Sequence, residues 1–277
     1  NLNLYIFITY YLMIPISIIG YGLIFFSLNK KLKISSNYGY AGLTGVLILC
    51  LYSYISSFFY EHGLKHNLVV ILLGFFFFIY FNLKKIGQNQ IYLSFFLLIY
   101  FIGILMSKMH DDFPYYHFQY SYYLTQMPST IGIGNFNLGL RTQSSIFYLN
   151  SLFYLPITKY FMFHMSAFVI FLFSNMILLF KIIKSNLDKN FNYITIYYLL
   201  SFIFVNIFFY RISEHGTDRS AQILILILIG EILSFVNHKF GLERKLSKLF
   251  ILIALIISLK AFYILYIIFF SIILYHL

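Results

Sequence analysis

Long apolar runs, separated by short polar segments, repeat along the whole chain. The clearest runs cover residues 4–28, 40–60, 68–83, 91–107, 160–180, 193–210 and 221–236. A helix needs roughly 20 apolar residues to cross about 30 Å of hydrocarbon, and backbone groups in lipid have to be hydrogen-bonded within their own segment. The runs also lack the alternation that a membrane β-barrel requires. The pattern therefore predicts an all-α fold, a polytopic helical membrane protein.

The last apolar segment, residues 249–277, differs from the others because Lys260 lies near its middle. Its 29 residues would form a helix about 43 Å long, which is too long for one untilted span and too short for two full ones. Either two short helices meet at Lys260, or one long tilted helix turns the lysine toward the bundle. A third alternative is that Lys260 snorkels to the membrane interface. With this segment as one helix or two, about eight or nine spans are predicted.

A shorter segment, Ser145 to Tyr154, does not have the composition of a span. It is apolar on one helical face, carries Asn150 and Ser151, and is followed by Pro156. A proline stops a helix, and a helix with one apolar face can lie in the plane of the membrane interface. We therefore predict an amphipathic surface helix here.

Basic residues divide the connections between the runs into two groups. Twelve of the nineteen lie in alternate connections: Lys30, Lys31, Lys33, Lys84, Lys85, Lys181, Lys184, Lys189, Lys239, Arg244, Lys245 and Lys248. Six lie in the other connections: Lys65, Lys108, Arg141, Lys159, Arg211 and Arg219. Because Lys and Arg concentrate on the cytoplasmic side, the first group predicts the cytoplasmic face. Five of the eight acidic residues then share the outer face: Glu61, Asp111, Asp112, Glu214 and Asp218.

Composition agrees with this arrangement. Hydrophobic residues make up 61% of the chain and charged residues 10%, and the net charge of +11 is accounted for by the basic loops on one side. We therefore predict membrane lipid, and no nucleic acid, as a partner. Cys50 is the single cysteine, so no disulfide forms within the chain. The chain begins without Met and stops in an apolar run, so we expect a fragment that forms a single transmembrane domain over residues 1–277.

The longest polar interruption, residues 108–142, carries the first candidate site. Asp111 and Asp112 are adjacent there and lie between His110 and His117. One carboxylate can raise the pKa of the other and so produce a general base, or both can bind a divalent ion, Mg²⁺ or Mn²⁺, beside histidine nitrogens. Alternatively, Asp112 caps a helix that begins at the Phe-Pro pair after it. Capping accounts for Asp112 and leaves Asp111 unexplained.

A second polar loop on the same predicted side reads Glu214-His-Gly-Thr-Asp-Arg219. Arg211 or Arg219 can bind phosphate, because a guanidinium offers its donors in a fork that fits phosphate oxygens. Glu214 and Asp218 are further candidate metal ligands. Alternatively, Asp218 caps the helix that follows, or it neutralises Arg219.

Three more residues are candidates for binding a substrate: Lys260, Tyr116 and His117. Lys260 would provide a point charge for a phosphate or for a buried carboxylate. Tyr116 belongs to a tyrosine-rich stretch that could stack on a sugar, although a belt of tyrosines at the membrane interface is the more ordinary explanation.

The layout resembles the GT-C superfamily of membrane glycosyltransferases, which use lipid-phosphate sugars. Asp111-Asp112-Phe-Pro-Tyr-Tyr-His117 looks like the acidic and aromatic signature of that superfamily's first outer loop. The segment from Ser145 to Pro156 is similar to its surface helix, and Glu214 to Arg219 looks like its second outer loop. Ser258-Leu-Lys260 is similar to a lysine at a helix break. The resemblance covers about residues 91–277.

The resemblance implies an enzyme that moves a sugar, with inversion, from a polyprenyl-phosphate donor to an acceptor hydroxyl on the extracytoplasmic face. Asp112 or Asp111 would take the hydroxyl proton. Lys260, Arg219 or a divalent ion would stabilise the departing phosphate. It also implies an integral protein of a bacterial inner or plasma membrane that acts in glycan biosynthesis for the cell envelope.

The order of the spans departs from that superfamily. Four spans precede the key loop here, whereas the superfamily usually has this loop after its first span. Residues 1–85 are therefore predicted to be extra N-terminal spans in front of a core that covers residues 91–277. Other functions remain open: a transporter or flippase, a polymerase of lipid-linked glycans, or a non-catalytic membrane subunit.

Overall fold

The computed structural model describes residues 2–29, 37–82, 87–105, 109–187, 192–237 and 242–276. Over these residues the fold is all-helical, and they contain no β-strand, which confirms the predicted class. The α-helices in chain order are α1 (Leu2–Leu28), α2 (Tyr38–Ser57), α3 (Leu64–Asn82), α4 (Gln88–Ile104), α5 (Phe118–Gln126), α6 (Ser145–Leu152), α7 (Met165–Leu187), α8 (Tyr193–Phe208), α9 (Asp218–Asn237), α10 (Leu242–Leu259) and α11 (Phe269–His276).

Each predicted apolar run forms a helix. Five helical segments are long and apolar enough to cross a membrane: Asn3–Leu28, Tyr38–Ser57, Leu64–Asn82, Tyr160–Leu187 and Asp218–Asn237. Four more are apolar but shorter: Gln88–Ile104, Tyr193–Phe208, Leu246–Leu259 and Ala261–Ile272. The five long segments are compatible with an integral membrane protein.

Helix α7 lies at the centre of the bundle. It contacts α2, α4, α8 and α9, and the side chains of its first fourteen residues, 165–178, are all buried. On one side of this centre α1 packs against both α2 and α3, and on the other side α10 packs against α9. The helices of the N-terminal part therefore pack onto the same core as the rest of the chain.

Glycines allow α1 and α2 to approach very closely. A methyl group at Gly45 would lie 1.9 Å from the backbone oxygen of Ile18, and one at Gly22 would lie 1.8 Å from that of Ala41. Lipid tails are as apolar as Leu, so helices in a membrane associate through close backbone packing between small residues. Gly22 and Gly45 thus explain how two helices with few polar side chains hold together.

The C-terminal segment is broken at Lys260. Helix α10 ends at Leu259, Lys260 has an extended backbone, and a 3₁₀ helix then runs over Ala261–Ile268 before α11. This confirms the alternative of two short helices that meet at Lys260. The two serines that begin the α6 region stabilise the break, because Ser144 Oγ donates to Leu259 O at 2.5 Å and Ser145 Oγ donates to Ser258 O at 2.7 Å.

The predicted helix over Ser145–Tyr154 is present as α6, but the prediction that it lies at the surface is wrong. Seven of its eight side chains are buried, and it packs against α2, α5 and α7. Its polar residues face protein partners: Ser166 Oγ donates to Asn150 Oδ1, and Ser151 Oγ lies 2.5 Å from His62 Nδ1. A polar group is buried cheaply once it is hydrogen-bonded, so these residues do not require contact with water.

The two ends of the bundle differ in chemistry. At one end Glu231 is buried and pairs with Lys181, and Tyr40 donates to it at 2.5 Å. At the other end lie the loops that carry Asp112 and Asp218. Nine of the basic residues that predict the cytoplasmic face lie outside the described side chains: Lys30, Lys31, Lys33, Lys84, Lys85, Lys189, Lys239, Arg244 and Lys245. Lys108 lies outside them as well.

Candidate functional site

Three separate parts of the chain meet at the acidic end. The loop after α4 is joined to the loop after α8, because His110 N donates to Ser213 O at 3.1 Å. The helix break at Lys260 is joined to the start of α9 through Asp218. The loops that were predicted to share one side of the protein, those of Asp112 and Asp218, therefore do lie at the same end of the bundle.

A wide helical turn shapes the Asp-Asp loop. Residues Phe113–His117 form one π-helical turn, in which Asp112 O accepts from the backbone N–H groups of Tyr115, Tyr116 and His117 at 3.2, 3.2 and 3.4 Å. A π turn places residues five apart above one another and is often found at functional sites. Asp112 and His117 are five apart and therefore lie on one side of the turn.

The Asp112 side chain is held by its neighbours and does not cap the helix. Tyr116 Oη donates to Asp112 Oδ2 at 3.2 Å, and His110 Nδ1 lies 3.8 Å from the same oxygen. The carboxylate makes no capping hydrogen bond, so the capping explanation for Asp112 is wrong. Asp111 is exposed, and among the described residues its carboxylate has no hydrogen bond or ion pair.

Lys260 and Asp218 form the second half of the site. Lys260 Nζ donates to both carboxylate oxygens of Asp218, at 2.6 and 2.7 Å, and both side chains are partly exposed. Tyr263 Oη lies 3.4 Å from Asp218 Oδ1. The predicted alternatives for Asp218, capping of its helix or neutralisation of Arg219, give way to a pair with a lysine 42 residues away.

Both halves contribute to the pKa values of Tyr116 and His117, so their charges lie within electrostatic reach of these two side chains. Burial raises the pKa of the Tyr116 phenol to about 12, with further contributions from the carboxylates of Asp112 and Asp218. Burial also lowers the pKa of His117 to about 4. The charges of His110 and Lys260 lower this pKa further, whereas the carboxylates of Asp112 and Asp218 raise it. His117 is therefore neutral at pH 7, and a carboxylate, a second carboxylate and a cation all lie within electrostatic reach of it.

The two arginines that were predicted to bind phosphate pair with Glu214 instead. Arg219 Nη1 donates to Glu214 Oε2 at 3.0 Å, and Arg211 Nη1 donates to Glu214 Oε1 at 3.4 Å. Glu214 is 9% exposed, so this pairing satisfies a carboxylate that is nearly out of solvent. Of the predicted phosphate-binding cations, Lys260 is the one whose charge contributes to the lowered pKa of His117.

The predicted metal ligands separate into two sets. Among the described residues, one group offers three ligand atoms within 4.8 Å of one another: His110, Asp112 and His117. Asp111 is exposed, while Glu214 and Asp218 are paired with cations and lie outside this group. From the sequence, both histidines were candidates for nitrogen ligands beside the carboxylates, and His117 was also a candidate for binding a substrate.

An apolar groove opens beside the helix break. It has a volume of about 280 Å³ and is lined by residues of α2, by Ser144 and Ser145, and by Ser258 and Ala261 on both sides of Lys260. A second, more polar cavity of about 380 Å³ contains Arg141 and shares Tyr54, Gln143 and Tyr148 with the groove. The two spaces therefore adjoin near the Lys260 end of the site.

One protein-family model matches the chain, over residues 4–277, and its description reads "Domain of unknown function (DUF8201)". The chain belongs to this family. No curated protein and no solved structure matches it. The range matched by the DUF8201 family includes both the predicted N-terminal spans and the predicted core.

Several residues of the candidate site in this DUF8201 protein were not predicted from the sequence. Tyr263, which reaches Asp218, lies one helical turn after Lys260, and the spacing from the break could have pointed to it. Ser144 is an N-cap of α6 that also binds Leu259 O; serine before an apolar helical run is a signal for a cap, although not for the second bond. The aromatic lining of the polar cavity comes from distant segments and has no local signal.

Proposed function

We propose that the protein is a membrane glycosyltransferase that moves a sugar from a polyprenyl-phosphate donor to an acceptor hydroxyl. One observation carries the proposal: Asp112, a half-exposed carboxylate that accepts from Tyr116, and the Lys260–Asp218 pair both lie within electrostatic reach of His117. A glycosyl transfer requires a base for the nucleophile and a cation for the leaving phosphate. This arrangement supplies both within one site.

The reaction proceeds in one displacement. The acceptor oxygen forms a bond to the anomeric carbon while the bond from that carbon to the phosphate oxygen breaks, which inverts the configuration. The acceptor proton goes to the Asp112 carboxylate, with Asp111 as the adjacent second acid. The electron pair leaves on polyprenyl phosphate, and Lys260 stabilises it. Lys260 has three N–H donors, and Asp218 engages it through two contacts, so one donor is available for a phosphate oxygen.

The surroundings of Lys260 fit a lipid-linked donor. The apolar groove of about 280 Å³ reaches the break on both sides of Lys260, so an isoprenoid chain can lie in the groove while its phosphate meets the ammonium group. The adjoining polar cavity, with Tyr54, Tyr148 and Arg141 in its wall, has the aromatic and polar surfaces that saccharides bind. We assign the groove to the donor and the cavity to the acceptor.

We further propose that the five long segments and the four shorter apolar helices together form the membrane domain, with Lys260 at a break between short helices. The acidic end faces the extracytoplasmic side of a bacterial inner or plasma membrane, as the sequence distribution of Lys and Arg suggests. A transporter would need ionisable groups along a path through the spans. Glu231 is instead fully paired with Lys181, Tyr40 and Tyr198, which is typical of a structural ion pair.

The test is the release of polyprenyl phosphate from polyprenyl-phosphate hexoses by protein reconstituted in vesicles with a mixture of acceptor glycans. We expect release by the wild type and a loss of about 100-fold or more in Asp112→Asn, because the amide accepts no proton. Glu61→Gln is the matched control, since Glu61 is an exposed acid on the same predicted face. Equal release by Asp112→Asn and wild type would disprove the assignment of the base.

A further inference from the structure

We propose that His110, Asp112 and His117 form a binding site for one divalent transition-metal ion. Each residue offers one ligand atom, and these atoms lie within 4.8 Å of one another. Ligands bound to Zn²⁺ at about 2.0–2.1 Å lie about 3.3 Å apart in a tetrahedral arrangement. The ligand atoms therefore need to approach one another by up to about 1.5 Å on an ion, and the Asp112 side chain, which is about half exposed, has room for such a shift.

His117 provides independent support, because one of its ring nitrogens lacks a partner. The side chain is 5% exposed, and among the described residues and their contacts Nε2 is a buried atom without a hydrogen bond. A buried polar group without a partner destabilises the fold. A metal ion is a partner for such a nitrogen, and the other histidine of the group stacks on this ring at 5.2 Å.

The backbone holds the three residues in position before any ion arrives. The π-helical turn aligns Asp112 with His117. The third residue, His110, is held by the hydrogen bond from its backbone N to Ser213 O, which belongs to the loop after α8. Tyr116 Oη donates to Asp112 Oδ2 at 3.2 Å, which is the kind of outer contact that orients a ligating carboxylate. The site is therefore built mainly from one short segment that a second loop supports.

The ligand types select the class of metal. Two imidazoles and one carboxylate suit Zn²⁺, Mn²⁺, Fe²⁺ or Co²⁺, whereas Mg²⁺ and Ca²⁺ take oxygen ligands almost throughout. Three protein ligands leave a coordination position open, as in catalytic zinc sites. A cavity of about 20 Å³, lined by His110, His117 and His164, adjoins the group and is large enough for one water molecule. Of the two ions expected from the sequence, Mg²⁺ and Mn²⁺, these ligands favour Mn²⁺, which is a first-row transition metal.

This proposal goes beyond sugar transfer and does not depend on it: the ion would take Asp112 Oδ2, the oxygen that lies 3.8 Å from His110 Nδ1, and would leave Oδ1 for an acceptor proton. The experiment uses the full chain, purified in detergent without a histidine tag, stripped with a chelator and then dialysed against Zn²⁺, Co²⁺ or Mg²⁺. We expect one equivalent of Zn²⁺ or Co²⁺ per chain by elemental analysis and a visible Co²⁺ absorption band from nitrogen ligands. Mg²⁺ should bind at least 100-fold more weakly than Zn²⁺.

Variants decide whether the three residues hold the ion. His117→Gln keeps a polar side chain of similar reach but removes the imidazole, and we expect it to lose at least 10-fold in Zn²⁺ affinity and to lose the Co²⁺ band. His110→Ala should do the same. His66→Ala, which removes a partly exposed histidine elsewhere, should retain one equivalent. Retention of one equivalent with an unchanged Co²⁺ band in both His117→Gln and His110→Ala would overturn the proposal, as would failure of the wild type to bind either ion.

Discussion

Lys260 is the residue through which the distant parts of the site are connected. It belongs to the C-terminal segment, yet its ammonium group lies 2.6 and 2.7 Å from the two oxygens of Asp218 at the start of α9. The pair is more than one third exposed on both sides. An ion pair with this exposure contributes little to stability, typically about 0–1 kcal/mol. The pair therefore serves to position the ammonium group more than to stabilise the fold.

We therefore expect Lys260→Met to separate activity from stability. The methionine keeps the apolar stem and removes the charge, so the release of polyprenyl phosphate should fall by about 100-fold or more, because the leaving group loses its cation. The free energy of unfolding should change by less than about 1 kcal/mol. Release is measured in vesicles and unfolding by a thermal melt in detergent.

Lys65→Met is the control for this variant, since Lys65 is exposed in the first turn of α3. It should match the wild type in both measurements. If Lys260→Met transfers sugar at the wild-type rate, Lys260 does not face the leaving phosphate, and the donor has to bind elsewhere.

At this scale the sequence predicted which residues matter better than it predicted their partners. Asp112, Lys260 and Asp218 stand out because acidic and basic residues are rare in such an apolar chain. Arg219 was expected beside a phosphate, but its nearest carboxylate is Glu214 on the neighbouring turn. Whether Arg219 pairs with Glu214 or with Asp218 depends on the direction in which each side chain points at the start of α9. Composition contains no information about that direction.

The junction between α6 and the end of α10 determines the position of the helix break. The last carbonyl groups of α10 lack partners within the helix, and Ser144 and Ser145 provide them. Ser144 also accepts from Ile146 N at 3.3 Å and so caps α6. The buried Ser144 thus binds the last residue of α10, directly before Lys260, and also caps the start of α6.

Ser144→Ala should therefore destabilise the protein and also displace the site. The loss of the cap costs about 0.5–2 kcal/mol, and the unpaired carbonyl of Leu259 costs about 1–3 kcal/mol. Because Lys260 follows this carbonyl directly, we also expect slower release of polyprenyl phosphate. A thermal melt and the vesicle assay measure the two effects.

Ser27→Ala serves as the comparison, because Ser27 is exposed and donates only to Ile24 O within its own helix. Its free energy of unfolding should lie within about 0.5 kcal/mol of the wild-type value. A Ser144→Ala protein that is as stable as Ser27→Ala would show that the contact to Leu259 contributes nothing to the break.

The helices themselves were predictable, because apolar length is a strong signal for a span. The exception is α6, whose pattern of Asn150 and Ser151 on one face indicated a helix that lies at the surface. Those two side chains are paired with Ser166 and His62, which come from other parts of the chain. A buried polar residue and a solvated one look the same in a sequence until the partner is known, so the burial of α6 could not be foreseen.

On the scale of the whole molecule, the N-terminal helices and the rest of the chain share one core. His62, in the loop between α2 and α3, provides the clearest connection. Its backbone N donates to Leu124 O at 2.9 Å, Nδ1 lies 2.5 Å from Ser151 Oγ and Nε2 lies 2.9 Å from Ser56 Oγ. His62 belongs to the part of the chain that was predicted to form extra N-terminal spans, residues 1–85. Its hydrogen bonds thus connect this part to α5 and α6.

Acid should loosen this connection, and the direction follows from the pKa of His62. Burial lowers this pKa from the ordinary value near 6.5 to about 3, and His66 adds to the shift. Above pH 6.5 the ring is neutral in both the folded and the unfolded chain. Between pH 6.5 and about 3 the unfolded chain takes up a proton and the folded chain does not, so stability falls by up to about 1.4 kcal/mol per pH unit.

We therefore expect the melting temperature in detergent to fall from pH 7.5 to pH 5, and the fall to be smaller in His62→Asn. The asparagine does not titrate, so the variant is less stable at pH 7.5 but loses less on acidification. Lys65→Gln, one turn away and exposed, should keep the wild-type slope. Parallel slopes for His62→Asn and the wild type would mean that another group controls the acid sensitivity. In that case the contact of His62 with Ser151 would have to survive protonation of the ring.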